Sequence, residues 1–507
     1  MLFLDYLLLA AGLVATALPA AQAYATKRSQ MVRTVVTTDM EQDDLASLVR
    51  YLLYTNELDT QGIIYTASRY HWAGDGNGTK FFLAGREYKT PQWAWRWTGT
   101  RTIQDKVLQA YADIYPNLNC HDPFYPTPDE LLSKVRIGNI DFEGEMSHDT
   151  DGSNLIRSLL LDEDPRPLYL QAWGGTNTIA RALKAIEEQY SKSRQWHQTR
   201  DTVSHKAVIM ASGFQDETYA NYIALHWPQI RVEELSTGYK TWGYNCQGQG
   251  NVRGYPNDEE YFSGDWIKAH IEIGPYGKLY RSWLDGQSMP GDPEDVFGNL
   301  TELESSSQWC KSTGSYDFLS EGDNVVYNPL LTTGLQDPAN PALGGWGGRA
   351  IQNSTSPNLW QMVDSEKNQT GDEIAYYTTN RWAAAVQNDF AARIQWTMTA
   401  NYTRANHAPM VECVNGTAVN AHPGQTLILA GSVSDPDLDN VTTTWWQFFE
   451  EGTYPGTVTV ADRGNHTATI MVPEDAKAGQ TISMILQGTD NGQFPLTRYS
   501  RTFIHVV

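Results

Sequence analysis

The sequence has few cysteines, no internal repeat of fixed period and no low-complexity tract. It also has no long apolar run after its first 23 residues. Its four cysteines, Cys120, Cys246, Cys310 and Cys413, are too widely spaced to resemble a zinc site. In an oxidising compartment they allow three disulfide connectivities, and a pair between Cys246 and Cys310 is one expectation.

Basic residues are also scarce. The chain carries 37 Lys and Arg against 59 Asp and Glu, a formal net charge of -22. This balance argues against a nucleic-acid backbone as a partner, because phosphates attract basic surfaces. The length of 507 residues exceeds that of one ordinary domain.

The first residues read as a secretory signal peptide over residues 1–23. Leu7 to Leu18 form its apolar core, and Ala21 to Ala23 fit a small-residue cleavage site. Asp5 replaces the usual basic residue, so a signal anchor is the alternative, although the stretch is short for a membrane span. Asn-x-Ser/Thr sequons favour export and begin at Asn77, Asn299, Asn353, Asn368, Asn401, Asn415, Asn440 and Asn465. We expect a secreted, extracellular protein with no membrane contact after signal removal.

The chain is organised around an acidic string, TTDMEQDD, at Thr37 to Asp44. The apolar-leaning run Arg33 to Val36 precedes it, and apolar residues at helical spacing follow over Leu45 to Tyr54. The string therefore lies where a strand ends and a helix begins. A hard divalent cation would offset its carboxylates, and an acidic helix N-cap in water is the alternative.

A second strand, Gly62 to Thr66, follows the helix. Strand, helix and strand in this order form a βαβ unit and predict a parallel sheet. Ligands bind at the carboxyl ends of the strands in such sheets. Asp39 to Asp44 lie at that edge, and Ser68 to His71 would follow the second strand there.

Two later stretches contain further candidates. The predicted strand Pro167 to Ala172 runs into Trp173 to Asn177 and then a helix, and its glycines permit close backbone approach to a ligand. A plain strand-to-helix turn is the alternative. Glu321 and Asp323 form a second carboxylate pair in an irregular segment, where they could face a site or water.

Three tryptophans, Trp93, Trp95 and Trp97, alternate along the chain and share one side of an extended segment. They form either a stacking platform for sugar rings or part of the aromatic core. The sequence favours the core.

The sequence pattern changes at Asn406. Six short strand patterns alternate with turns over residues 406–507, which suggests a β-sandwich. The turn Ser434 to Asp439 could bind Ca²⁺ or could be an ordinary turn.

The segments VVTTDMEQDD, DTDGSN, AWGGTNTIA and EGD together make the sequence resemble the nucleoside-hydrolase superfamily. The resemblance is closest to its secreted branch, the cellulose-binding nucleoside-hydrolase-like proteins. It implies an α/β domain over residues 31–400, with a mostly parallel sheet flanked by helices. An immunoglobulin-like β-sandwich domain over residues 406–507 would follow.

The resemblance also implies a calcium site. Its ligands would be the carboxylates of Asp39, Asp44 and Asp323 and the backbone carbonyl of Trp173. Asp43 would contact both the sugar and the metal region.

Further sugar contacts would come from Asn177 and Asn221. The sequence departs from the family pattern at Thr37, where the family has an aspartate, and at Gly322, where it has a histidine. Met40-Glu41 also replaces a Pro-Gly turn.

The implied activity is calcium-dependent cleavage of a glycosidic bond in a plant-wall or related glycan. Ca²⁺ would hold two sugar hydroxyls and a water, Asp39 would accept the proton of that water, and Glu321 would be the acid. The alternatives are a non-catalytic polysaccharide-binding protein on the same fold and an extracellular nucleoside hydrolase. The absent histidine, the signal peptide and the sandwich favour a glycan.

Overall fold

The computed structural model describes residues 27–235, 245–246, 259–281, 286–298, 318–319, 321–368, 370–375 and 377–507. The predicted signal peptide, the sequon at Asn299 and Cys310, one half of the expected disulfide, lie outside these residues. Cys120 and Cys413 are free thiols.

Twenty strands lie in the described residues. They are β1 (Val32–Thr38), β2 (Leu58–Tyr65), β3 (Val135–Ile137), β4 (Leu168–Ala172), β5 (Ala207–Ala211), β6 (Arg231–Glu234), β7 (Asn245–Cys246), β8 (Phe318–Leu319), β9 (Ala350–Gln352), β10 (Leu359–Met362), β11 (Ser365–Lys367), β12 (Glu373–Ala375), β13 (Met410–Cys413), β14 (Ala418–Ala421), β15 (Thr426–Ser434), β16 (Thr442–Phe448), β17 (Thr459–Asp462), β18 (Thr467–Met471), β19 (Thr481–Thr489) and β20 (Thr497–Val506).

The α-helices of the same residues are α1 (Gln42–Leu52), α2 (Gln109–His121), α3 (Pro128–Leu132), α4 (Asp151–Leu161), α5 (Asn177–Tyr190), α6 (Trp196–Lys206), α7 (Ala224–His226), α8 (Gly264–His270), α9 (Gly274–Gly277), α10 (Asn324–Tyr327), α11 (Tyr377–Asn380) and α12 (Ala383–Met398). Turns of π-helix precede α2 and α7, over Ile103–Leu108 and Tyr219–Ile223. Short 3₁₀ turns span Glu259–Phe262, Val296–Gly298, Asn328–Leu330, Pro341–Leu343, Tyr402–Arg404 and Phe449–Glu451.

An eight-stranded sheet organises the first part of the chain, in the order β3-β2-β1-β4-β5-β6-β10-β9. All neighbours pair in parallel except β9, which is antiparallel to β10. The central strands are buried on both faces, which fits a parallel sheet covered by helices. The first part of the chain is therefore an α/β domain with a mostly parallel sheet, as the sequence predicts.

Two four-stranded sheets follow, in the orders β13-β15-β18-β17 and β14-β20-β19-β16. Their apolar residues pack into a shared core, which forms the β-sandwich. β14 pairs with β20 in parallel, and the other pairs are antiparallel.

The sandwich packs directly on the first part of the chain. The ring of Trp382 lies 5.6 Å from that of Tyr499 and about 6 Å from those of Trp446 and Phe448. Arg498 donates to Asp389 of α12 at 2.8 Å. One hydrophobic core therefore runs from the large sheet into the sandwich.

Two local findings complete the fold. The DTDGSN motif begins α4, because the side chain of Thr150 caps this helix by accepting from the backbone N–H of Ser153. Among the described residues, no helix is long and apolar enough to cross a membrane.

Candidate functional site

The acidic string lies at the carboxyl ends of the central strands of the large sheet. β1 lies between β2 and β4, and the backbone N–H groups of Thr66 and Trp173 donate to the carbonyls of Thr38 and Thr37. The segments after these three strands therefore converge on Asp39, as the βαβ pattern predicts.

The turn between β1 and α1 has an unusual backbone. Met40 has φ of +56°, in the left-handed region that non-glycine residues rarely adopt. Its N–H donates to Oγ1 of Thr38 at 3.0 Å, and its carbonyl accepts from Thr98 at 2.9 Å. The family's Pro-Gly turn is thus replaced by a strained methionine that neighbouring threonines hold in place.

The start of α1 presents the remaining carboxylates of the string. The backbone N–H of Asp44 donates to Oδ1 of Asp43 at 3.1 Å, and Thr38 donates to Oδ1 of Asp44. Ligand atoms of Glu41, Asp43 and Asp44 all lie within 4.8 Å of one another. The positive end of the helix dipole offsets part of this charge.

Asp323 reaches the same place from far along the chain. Its backbone N–H donates to Ser47 of α1 at 3.2 Å, and the carbonyl of Gly322 accepts from Ser212, which follows β5. A Cβ at Gly322 would collide with the carboxylate of Asp43. We call Asp39, Glu41, Asp43, Asp44 and Asp323 the acidic cluster.

His71, which the sequence did not single out as a site residue, lies beside this cluster. Its Nδ1 atom is 3.5 Å from Oδ2 of Asp39 and 3.5 Å from Oε2 of Glu41. Its Nε2 atom is 3.2 Å from Oδ2 of Asp292, which Arg96 also binds. An imidazole from the segment after β2 thus lies near the acidic cluster. At position 322, by contrast, a side chain would collide with the carboxylate of Asp43.

Electrostatics within the cluster are unfavourable. Burial, followed by the charges of Asp39 and Asp323, raises the pKa of Asp44 well above its usual range. Burial and nearby carboxylates likewise raise the pKa of Asp323 and of Glu41. Burial lowers the pKa of His71, but Asp292 and Asp39 outweigh it and leave that pKa raised.

The residues present fit a hard divalent cation. Both carboxylate oxygens of Asp39, together with Oδ2 of Asp44 and Oδ2 of Asp323, are buried and have no hydrogen-bond partner among the described residues. Unsatisfied buried carboxylate oxygens are costly, and Ca²⁺ prefers such ligands. The carbonyl of Trp173 accepts from Gln215 at 2.6 Å, and a carbonyl oxygen has a second lone pair.

Glu321 does not have the role that the sequence suggested. Its carboxylate is fully buried and lies 2.6 Å from Nε of Arg50. It also accepts from Tyr280 at 2.7 Å and from Tyr327 at 3.1 Å. This arrangement argues against the predicted acid, because a guanidinium and two phenols already engage both carboxylate oxygens.

The two asparagines lie apart from the cluster's unsatisfied oxygens. Asn177 is fully buried, accepts from Thr66 at 2.8 Å and donates to the carbonyls of Asn139 and Glu145. Its amide therefore braces three segments, and its two N–H groups are already used. Asn221 is exposed on the π-helical turn that follows β5, and its sugar contact stays a prediction.

The tryptophans in the segment after His71 fit different interpretations, one as part of the aromatic core and one as an exposed ring. Trp95 packs edge-on against Tyr88, whose ring centroid is 5.1 Å away. Trp93 is 60 % exposed, and Lys80 lies over its ring. Only part of this segment is core.

These features define a protein of the nucleoside-hydrolase-like class with an appended β-domain. Residues 33–350 match the nucleoside hydrolase-like domain of the cellulose-binding Sde182 family. Residues 426–506 match the C-terminal domain of cellulose-binding protein Sde0182. The chain belongs to this family, which confirms the resemblance found in the sequence.

One solved structure agrees with this assignment. It is that of a nucleoside hydrolase-related hypothetical protein from Saccharophagus degradans that is associated with carbohydrate metabolism. That protein is 26% identical to this chain, with a TM-score of 0.67, and the match covers 94% of this chain and 100% of that chain. A plant nucleoside hydrolase, PpNRh1, is 9% identical with a TM-score of 0.33 and covers 73% and 99% of the two chains. No curated protein matches the chain.

Proposed function

We propose that the protein is a secreted, calcium-dependent hydrolase that cleaves a glycosidic bond in a plant-wall or related glycan. The observation that carries the proposal is the fully buried carboxylate of Asp39, which has no hydrogen bond among the described residues and whose Oδ2 is approached by Nδ1 of His71 at 3.5 Å. It lies at the carboxyl ends of parallel strands, where α/β proteins bind ligands. The family's description as cellulose-binding favours a carbohydrate substrate.

Asp39, Asp44 and Asp323 would hold Ca²⁺, together with the carbonyl of Trp173. When bound, the ion supplies positive charge that offsets the acidic cluster and orients sugar hydroxyls. Asp43 lies within the cluster beside Asp44, where it would bind a sugar hydroxyl.

Asp39 is the general base of the proposed reaction. It takes a proton from water while the water oxygen forms a bond to the anomeric carbon. The glycosidic carbon–oxygen bond breaks, and the leaving oxygen keeps the electron pair and takes up a proton from solvent water. Asp39 then returns the proton it accepted to solvent. Positive charge develops on the sugar ring, and the carboxylates of the cluster stabilise it.

His71 is a positioning residue in this reaction. Its imidazole lies between Asp39 and Asp292, so it limits the rotation of the Asp39 carboxylate. Its Nδ1 atom also lies 3.5 Å from Oε2 of Glu41, so the ring contacts two carboxylates of the acidic cluster.

A second candidate is a polysaccharide-binding protein without catalysis. The exposed ring of Trp93 favours it, because exposed aromatic faces bind sugar rings, and the family is described as cellulose-binding. The unsatisfied Asp39 favours the hydrolase.

Release of reducing sugar and of free nucleobase tests the proposal on panels of plant polysaccharides, aryl furanosides and nucleosides. Each panel is run with Ca²⁺ and with chelator, for the native protein and for Asp39→Asn. Chelator-sensitive release from one glycan class, absent in Asp39→Asn, is the expected result. Release of nucleobase alone would instead identify a nucleoside hydrolase.

No release from any panel, with retention on insoluble cellulose that Trp93→Ala abolishes, would identify the binding protein. Leu132→Ala is a matched control for that retention, because it removes an exposed apolar side chain from a different segment.

A further inference from the structure

A second group of carboxylates lies in the sandwich, far along the chain from the acidic cluster. The loop between β15 and β16 contains Asp435, Asp437 and Asp439, whose ligand atoms all lie within 4.8 Å of one another. We call this segment the sandwich loop. The N–H groups of Asp437 and Asp439 donate to Oδ1 of Asp435, which leaves its Oδ2 buried and without a hydrogen bond.

Two buried side chains beside the loop have unsatisfied oxygens of their own. Asp490 is only 4 % exposed, and its Oδ1 accepts from Asn406, Gly492 and Leu496. Its Oδ2 has no hydrogen-bond partner, and neither has Oδ1 of the buried Asn406. An unsatisfied buried carboxylate oxygen is costly unless something binds it.

Both side chains adjoin the sandwich loop. The backbone N–H of His407, the residue after Asn406, donates to Asp437 at 2.7 Å. The backbone N–H of Asn440 donates to Asn491, the residue after Asp490, at 2.9 Å. Burial raises the pKa of Asp490, the hydrogen bonds from Leu496, Asn406 and Gly492 lower it, and the charge of Asp435 adds to the rise.

No lysine or arginine in the described part of the chain forms a salt bridge with Asp435, Asp439 or Asp490. Asp437 pairs with the ring of His407. The loop therefore gathers negative charge without a side-chain cation to neutralise it. The free atoms are all oxygens, from carboxylates and one amide.

We propose that the sandwich loop, together with Asp490 and Asn406, binds a divalent cation of the calcium type. Ca²⁺ takes six to eight oxygen ligands in flexible geometry, and side-chain and backbone oxygens can complete the shell. Zn²⁺ and other softer ions prefer nitrogen and sulfur ligands, which the free atoms here do not supply. This site is separate from the proposed catalytic calcium and does not depend on it.

The ion would fix the junction between the two parts of the protein. Asp437 holds His407, whose Nε2 lies 3.0 Å from Nδ1 of His121, at the end of α2. Tyr402 stacks on His407 with ring centroids 3.7 Å apart. A cation on Asp437 would therefore order a contact that joins the sandwich to α2.

Calcium stoichiometry tests the proposal on the full chain, by equilibrium dialysis at about 1 mM free Ca²⁺, a concentration at which extracellular calcium sites fill. The native protein should bind two ions. The double variant Asp435→Asn, Asp490→Asn should bind one fewer than the native protein, and Asp462→Asn, an exposed carboxylate elsewhere in the sandwich, should bind as many. Circular dichroism checks that each variant is folded.

Asp44→Ala, which removes the ligand oxygens, leaves the sandwich untouched and keeps the test decisive if the double variant misfolds. This variant should still bind one ion, and a folded Asp44→Ala protein that binds none would overturn the proposal. A double variant that binds as many ions as the native protein would also overturn it. A native protein that binds one ion, lost in the double variant, would support the sandwich site and refute the catalytic calcium.

Discussion

Nδ1 of His71 lies 3.5 Å from Oδ2 of Asp39, and both side chains are fully buried. The two residues follow neighbouring strands, so the parallel sheet fixes the contact. A basic ring thus stands against the carboxylate that we assign as the general base.

Asp39→Asn should lower turnover by about 100- to 10,000-fold, the usual contribution of a general base. The amide cannot accept the proton, but its oxygen can still coordinate, so calcium binding should only weaken. Sugar release and calcium dialysis measure the two effects separately. Asp462→Asn is the control on β17, and full activity in Asp39→Asn would refute the assignment.

His71→Ala should lower kcat by up to about 100-fold and leave KM nearly unchanged, because a misplaced base slows the chemical step. The variant also loses the buried ring that contacts Asp39 and Asp292, so its melting temperature in chelator should fall. Added Ca²⁺ should restore more of that temperature than it does in the native protein.

The matched control for His71→Ala is His148→Ala, since His148 lies 52 % exposed beside Asp141 and Glu145. Equal kcat values for His71→Ala and the native protein would rule out the positioning role.

Glu321→Ala should lower the free energy of unfolding by about 3–5 kcal/mol, because it leaves the buried Arg50 without its partner. Urea denaturation measures this loss. Asp105→Ala, which breaks an exposed ion pair with Arg101, should remain close to the native protein.

A structural role for Glu321 also predicts equal loss of activity on every glycan tested. Selective retention of activity on aryl glycosides, which need no protonation of the leaving group, would instead restore Glu321 as the acid.

Gly322→Ala should weaken calcium binding about tenfold, since the new methyl group would push the carboxylate of Asp43 out of place. The melting temperature in chelator should change little, because the methyl group meets the end of a side chain and not backbone. Calcium titration followed by thermal unfolding measures both quantities. Unchanged affinity would show that Asp43 does not influence the metal.

Because of Glu233, the free energy of unfolding should fall as the pH rises. Burial raises its pKa to about 7, against 4.5 for the free side chain, and Arg231 offsets part of the shift. Between pH 4.5 and about pH 7, Glu233 is protonated in the folded protein and ionised in the unfolded chain, so unfolding releases a proton. The contribution of Glu233 to the free energy of unfolding therefore falls as the pH rises and is lost above about pH 7.

Glu233→Gln cannot ionise and should lack this loss. Above pH 7 the variant should be the more stable protein by at most about 3 kcal/mol. Urea denaturation from pH 4.5 to pH 8 compares the two proteins, and parallel curves would contradict the prediction.

The sequence alone was sufficient to predict the parallel sheet and the position of the acidic string at its carboxyl edge. Apolar runs ending in Thr38 and Tyr65, with a helical pattern between them, define a βαβ unit whose carboxyl edge is known in advance. The part of the chain from Asn406 has eight strands, two more than the six predicted. β13 and β14 have only four residues each, with no clear alternation of apolar and polar residues, so they do not stand out in the sequence.

The side-chain partners were harder to predict. Arg50 meets Glu321 across 271 residues, and nothing local in either segment indicates the pair. His71 carried a usable signal, because it follows β2 at the same edge as Asp39. The family pattern instead directed attention to position 322, which is a glycine here.

The hydrophobic core that continues from Trp382 into Trp446, Phe448 and Tyr499 limits how this protein can be divided. A chain truncated before Asn406 would expose an aromatic surface to water, and an isolated sandwich would expose its counterpart. The sandwich therefore cannot be transferred to another protein as an independent domain, and the two parts have to evolve and be engineered together.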